Sequence, residues 1–273
     1  MKKIIALILV TSLISCKKED INNVPSYMSI NSVILDENST HNITDAWVYI
    51  DDNLQGVYEL PANFPILKDG IHKLRIKAGI KDNGISASRI PYSFYTSYII
   101  EEQDFNPEET RVITPIFRYI EDIVVDEDSE DFENYNLDPD NISFSINNIS
   151  PIDGNYGIIK LTDSILLTEF TTDPIKNLPQ AGAPVYLELD YKCNIQFLIG
   201  VYINPPVSSS LPVIPKDLLW INKKEEWNKI YVNLTSTISE AVGADSFTIF
   251  IQIERDFSKD ENTVSIDNLR IIY

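Results

Sequence analysis

Two histidines, His41 and His72, two cysteines, Cys16 and Cys193, and 41 acidic side chains are what this chain offers for chemistry. Neither histidine has a cysteine or a second histidine at metal-ligand spacing, so zinc binding and histidine-based nucleophilic catalysis find no support. Glycine-rich phosphate cradles and nucleophile elbows are absent as well. Paired carboxylates could act as acid and base on a glycosidic bond. With so many acids some pair will lie at the right separation by abundance alone, so the count discriminates nothing. The chain therefore reads as a non-enzyme without a cofactor. Calcium is the one inorganic partner to weigh, because it needs only about six to eight oxygens, which acidic β-proteins offer freely.

Cys16 is set apart by what precedes it. Met1-Lys2-Lys3 is a short cationic head, and Ile4 to Val10 is an apolar run that reaches Ile14 through only Thr11 and Ser12. A bilayer span needs roughly 20 apolar residues, so residues 1–15 read instead as a signal peptide with a small residue, Ser15, at its end. Leu13-Ile14-Ser15-Cys16 resembles the lipobox of bacterial lipoproteins, which implies a diacylglycerol thioether and an acylated amine on Cys16. Two or more acyl chains suffice for stable anchoring. Residues 16–25 are polar and without periodicity, a lipid-bearing flexible tether. Within it, Lys18-Glu19-Asp20 resembles the export signal of surface-exposed Bacteroidetes lipoproteins, which implies an outer-membrane anchor facing the cell exterior. A plain hydrophilic linker is the alternative.

With Cys16 so used, Cys193 has no disulfide partner and reads as a small buried residue in a strand. The formal net charge of −19 disfavours nucleic acid and anionic lipid surfaces as partners, since both demand clustered Lys and Arg.

The elements that would position any site are strands. Trp47-Val48-Tyr49-Ile50 and Gly56-Val57-Tyr58-Glu59-Leu60 flank the turn-forming Asp51-Asp52-Asn53 at hairpin distance. Pro61 and Pro65 break the pattern. After Asp69-Gly70, Leu74 and Ile76 are the clearly inward residues of an alternating run, and Arg111 to Tyr119 alternates again. The spacing from Val48 to Ile76 resembles the PEGA-type immunoglobulin-like modules of bacterial surface proteins. Between these runs, Gly79 to Tyr98 reads as a long structured loop, uncommon unless it has a function. Its Arg89, Tyr92, Phe94, Tyr95 and Tyr98 are residue types enriched at protein–protein hot spots. The loop is the partner-binding candidate, the alternative being that its aromatics cap the core.

Glu121 to Asp131 carries seven acidic residues in eleven, a solvated linker by its charge. The boundaries are then 26–120 for a first sandwich, 121–130 for the linker and 131–273 for a second domain. In the latter, Val185, Leu187 and Leu189 alternate with Tyr186, Glu188 and Asp190. Ile195 to Ile203, Ile230 to Leu234 and Phe247 to Ile253 do likewise. Such runs argue for antiparallel sheets with one buried face each. No helical stripe exceeds a couple of turns. The expected fold is all-β, an N-terminal immunoglobulin-like β-sandwich followed by a C-terminal jelly-roll β-sandwich.

With Phe132-Glu133 at its start and Ile266-Asp267-Asn268 at its end, the second domain resembles the galactose-binding-like jelly rolls that include many carbohydrate-binding modules. That resemblance implies a structural calcium ion at Glu133 and Asp267, with a solvated Glu133 and a turn-capping Asp267 as the alternative. It also makes Trp220 and Trp227 the sugar-stacking candidates, although Trp227 introduces a strand, where tryptophan more often packs over a core edge. Asp163-Ser164-Ile165 resembles a Bacteroidetes O-glycosylation sequon with Ser164 as acceptor.

Taken together, Asn42 to Ile50, Gly79 to Ile85 and Trp227 to Tyr231 resemble a group of Bacteroidetes lipoproteins. The resemblance implies a non-catalytic structural subunit of an outer-membrane barrel complex, with barrel assembly the first candidate. Its partners would be an outer-membrane β-barrel protein and other surface lipoproteins. A glycan-binding surface lipoprotein of a polysaccharide-uptake system is the rival expectation.

Overall fold

The structure is a computed structural model that describes residues 24–36, 39–121, 123–125, 144–147 (backbone), 155–161 and 165–273. Residues 1–15, expected to be a signal peptide, lie outside the described residues, as do Cys16, Lys18, Glu19, Asp20, Glu133, Ser164 and most of the stretch 121–130 expected to be an acidic linker.

Chain order in the first half is β1 (Ser26–Ile30), β2 (Ile34–Leu35), β3 (Asp45–Ile50), β4 (Asn53–Glu59), β5 (Ala62–Ile66), β6 (Gly70–Lys81), β7 (Arg89–Pro91), β8 (Tyr98–Phe105), β9 (Thr110–Val112) and β10 (Ile116–Phe117). One sheet has the order β4-β3-β6-β7, with β8 also on β6, and the opposing layer holds β5-β1-β9 and the short β10-β2 pair. Both β1/β9 and β2/β10 are parallel. Alternating residues from the two layers, among them Met28, Val48, Phe64, Leu74 and Ile76, close the core of this immunoglobulin-like sandwich. Asp51 and Asp52 take φ of 49° and 63°, the left-handed pair that a two-residue hairpin requires, and so join β3 to β4. Pro65 does not break the pattern as expected. It lies inside β5, opposite Tyr27, and β5 is an edge strand, where a missing N–H is tolerated.

The second half contributes β11 (Phe144–Asn147), β12 (Tyr156–Leu161), β13 (Leu167–Thr171), β14 (Ile175–Lys176), β15 (Tyr186–Cys193), β16 (Phe197–Asn204), β17 (Ile214–Ile221), β18 (Lys224–Asn233), α1 (Thr235–Glu240), β19 (Ser246–Glu254) and β20 (Asn262–Ile272). They form sheets β11-β12-β20-β15-β18 and β13-β19-β16-β17, with β14 also on β19. The chain crosses repeatedly from one sheet to the other, as a jelly roll does. The period-two residues Leu187, Leu189, Ile199, Val201, Val232, Ile249 and Ile251 interdigitate between the sheets.

One expectation about these sheets fails. Tyr186, Glu188 and Asp190 point away from that core yet are buried, because the first sandwich docks on the outer face of β15, β18 and β20. The edge of β18 is covered too: Asp82 bridges Tyr231 in parallel register, Asn83 N donates to Tyr231 O at 3.0 Å, and Asn233 N donates to Asn83 Oδ1 at 2.8 Å. Capping an open edge in this way removes a site for wrong pairing. Nor is the described part of the linker merely solvated, since Val124 and Tyr273 exchange backbone hydrogen bonds of 2.8 and 3.1 Å.

Candidate functional site

The stretch Gly79 to Tyr98 is not the exposed partner loop anticipated from its composition. β7 folds back on β6, pairing Ile80 with Ile90, and carries Tyr92, Phe94 and Tyr95 into the junction with the second half, where all three are buried. Tyr92 stacks edge-on against Tyr95 and Tyr186, and Tyr95 Oη lies 3.0 Å from Tyr231 Oη. Arg89 pairs with Asp45 and with Glu59 within its own sandwich, while Tyr98 opens β8 opposite Ile76. Aromatic side chains of this kind bury large area, and the nearest uncovered surface that could take them is the chain's own second sheet.

At the centre of the junction sits Glu188, fully buried. Its carboxylate accepts from Tyr92 Oη at 2.7 Å and Tyr119 Oη at 2.8 Å, and pairs with Lys229 Nζ and Arg270 Nη2, each at 3.0 Å. Burial pushes this carboxyl upward, but Lys229, Arg270 and the Tyr92 hydroxyl outweigh it and hold it below its ordinary value. Burial together with the Glu188 charge drives Tyr92 and Tyr119 upward, so both hydroxyls remain donors. With its oxygens so occupied, Glu188 is a fastener between domains.

The accessible feature is Trp220. It lies on β17, the edge strand of its sheet, opposite Leu198, which is followed across the sheet by Gln252 and Glu169. The indole is 48% exposed and forms a ridge between two depressions. On one side is a cleft of about 200 Å³ between the two halves, lined by Asn42, Lys81, Asn83 and Ser86 from the first and by Tyr191, Asn222, Lys224 and Asn228 from the second. On the other is a more open hollow of about 480 Å³ lined by Ile195, Gln196, Glu254, Arg255 and Asp256.

Several cleft groups are already oriented. Asn42 Nδ2 donates to Lys229 O at 2.8 Å and to Asn228 Oδ1 at 3.3 Å, and Gln196 Nε2 donates to Asn222 Oδ1 at 2.7 Å. Burial, with a further push from Cys193, moves the Tyr191 hydroxyl up to about 12, and it stays neutral at ordinary pH. Neutral amides and hydroxyls can serve both as donors and as acceptors, and an exposed indole offers an apolar face with an N–H at its rim. Such a surface is suited to a ring with one apolar face and a belt of hydroxyls.

Trp227 is not part of it. Its ring packs edge-on against Tyr156 at 5.2 Å between centroids, covering the sheet face beyond the docked domain. Asp267 is buried and accepts from Asn268 N at 2.8 Å, opposite Asp190 in the β15/β20 ladder. Among the described residues no three acidic, histidine or cysteine side chains are grouped as metal ligands. His72 Nδ1 lies 2.7 Å from Asp51 Oδ2. Burial and then Lys229 lower His41. Cys193 is a free, buried thiol. Sequence reasoning found Trp220 but missed Asn42, Lys81, Ser86, Lys224 and Asn228. Docking brings these together from distant parts of the chain, and the only signal was that Asn42, Lys81, Asn83 and Asn228 sit in the three stretches singled out together.

No protein-family model matches the chain, and no curated protein sequence does. Solved structures similar to it include the family 30 carbohydrate-binding module of a cellulosomal cellulase of Clostridium thermocellum, at 14% identity and TM-score 0.37 over 52% of this chain and 88% of that one. A carbohydrate-binding module from the β-sandwich superfamily aligns over 90% of this chain and 95% of its own, at 13% identity and TM-score 0.39. The enzymatically active domain of bacteriophage CBA120 tailspike protein 4 aligns at 14% identity and TM-score 0.37, over 47% of this chain and only 17% of the tailspike chain. At such scores the likeness extends to a general β-sandwich form and carries nothing about ligand or chemistry.

Proposed function

We propose that this chain is a non-catalytic, glycan-binding surface lipoprotein, held in the outer membrane through Cys16 and facing the cell exterior. The observation that carries the binding reading is Trp220, an indole 48% exposed on a ridge flanked by hydrogen-bonding side chains. Stacking on the indole supplies apolar contact, while Asn42, Asn222, Asn228 and Ser86 offer donors and acceptors to ring hydroxyls. Saturable binding on an oligosaccharide array, lost in Trp220→Ala and retained in Trp227→Ala, is the expected result. An array without any saturable ligand would overturn the reading. Cys16→Ser is expected to release the protein from membranes or strand its precursor.

The reading as an accessory subunit of an outer-membrane barrel complex keeps one supporting observation. Leu211, Ile214 and Val242 are exposed and line an apolar groove beside α1, which fits a protein partner better than solvent. Copurification with a barrel protein after mild detergent extraction, weakened by Leu211→Ser with Val242→Ser, would favour it. Recovery of the lipoprotein alone would count against it.

A further inference from the structure

Resting on the glycan reading, we propose that the cleft beside Trp220 takes a sugar residue bearing a negative charge, a carboxylate or a sulfate ester, between Lys81 and Lys224. The chain has 41 acidic and 22 basic residues, so acidic neighbours are plentiful for its surface lysines, and among the described residues three take one. Lys73 meets Glu101, Lys176 meets Asp245 and Lys216 meets Glu240 in this way. The cleft wall supplies no such neighbour. Its lining contains Lys81, Lys224 and Lys229 and no Asp or Glu.

Lys229 is already committed, with its ammonium on buried Glu188. Lys81 and Lys224, by contrast, form no ion pair with any described residue. Both are held at the cleft by backbone that has its own reasons to be there. Lys81 ends β6, where it pairs with Arg89, and its carbonyl accepts from Gly84 N at 3.0 Å in the turn that follows. Gly84 takes φ of 69°, a conformation suited to glycine, and a Cβ there would stand 3.1 Å from the Ile230 side chain. Lys224 begins β18 opposite Cys193. Two cations from two domains thus face one cavity that already offers Asn42, Asn222 and Asn228 as neutral partners.

The hollow on the far side of Trp220 differs, with Glu254 and Asp256 on either side of Arg255 in its wall. The polarity across the indole predicts an orientation: the charged sugar occupies the inter-domain cleft, and a neutral or hydroxyl-rich neighbour lies over the ridge. An anion in the cleft contacts a lysine from each half, so its binding would also tie the halves together.

Isothermal titration of the full chain with cellohexaose, hexagalacturonate and a sulfated galactan hexasaccharide tests this. At least one anionic probe is expected to bind tighter than cellohexaose, and which one separates carboxylate from sulfate ester. Lys81→Gln and Lys224→Gln should each reduce the anionic-over-neutral preference about tenfold, the scale of one charge-assisted hydrogen bond. Raising the salt from about 50 to about 500 mM should weaken anionic binding, since both lysines are reachable by solvent ions. Binding that depends on Trp220 but shows an unchanged preference in both lysine variants would overturn the charged-sugar inference and leave glycan binding standing. No saturable binding of any of the three probes, confirmed on a wider array, would overturn both.

Discussion

Replacing Glu188 by glutamine probes the junction that builds the cleft. The change keeps the side-chain volume but removes the charge that faces Lys229, whose side chain is 1% exposed, and Arg270. Leaving a buried charge without its partner costs about 3–5 kcal/mol. For a chain of this size about 1 kcal/mol moves Tm by roughly 2–4 °C, so the shift should be on the order of 6–20 °C. The amide would also present N–H donors to Tyr92 and Tyr119, whose hydroxyls now donate, so the hydrogen bonds cannot simply be kept. Lys229→Met should cost less, because Glu188 retains Arg270 and two tyrosines. Differential scanning calorimetry on the wild type and both variants gives the ordering directly. Because the network joins two sandwiches, Glu188→Gln should also separate their melting into two resolvable transitions. A Tm within about 2 °C of wild type in Glu188→Gln would refute the claim that this carboxylate fastens the domains.

Other consequences are simpler to measure. The lowered Glu188 carboxyl contributes stability that is fully present above its ordinary value of 4.5 and lost as pH falls through the lower native value; urea midpoints should fall on acidification below about pH 4.5, less steeply in Glu188→Gln. A Cβ at Gly200 would lie 2.0 Å from the Phe250 ring, so Gly200→Ala should lose about 1–3 kcal/mol by overpacking, and an unchanged chemical midpoint would contradict that packing. Burial raises the Cys193 thiol, so a disulfide reagent should leave it unmodified in the native protein and titrate it in denaturant.

What was legible in the residues was everything that depends on contrast between neighbours. Asp51-Asp52 announced a hairpin because left-handed backbone favours such residues, and Leu187, Leu189, Ile199 and Val201 announced inward faces by alternating with something more polar. The same contrast misled where the polar partners were themselves covered. Tyr186, Glu188 and Asp190 have the composition of a solvent face, and nothing local says that Tyr92, far earlier in the chain, will seal it. The aromatic run from Tyr92 to Tyr98 carried the residue types of a covered surface, but composition does not say what covers it. Trp220 was identifiable as a residue type, whereas its exposure and the packing of Trp227 against Tyr156 depend on strand order and edge position. The cleft lining was out of reach for the same reason, since it exists only once the two sandwiches have docked.

Trp220 as a sugar platform is tested most directly by tryptophan fluorescence during titration of wild type and Trp220→Ala with an array-selected oligosaccharide. A saturable change is expected in wild type, with affinity at least about tenfold weaker in Trp220→Ala, the scale of a lost stacking contact. Tm should stay unchanged, because the indole is half exposed. Equal affinity in the two proteins would contradict the assignment of Trp220 as the platform.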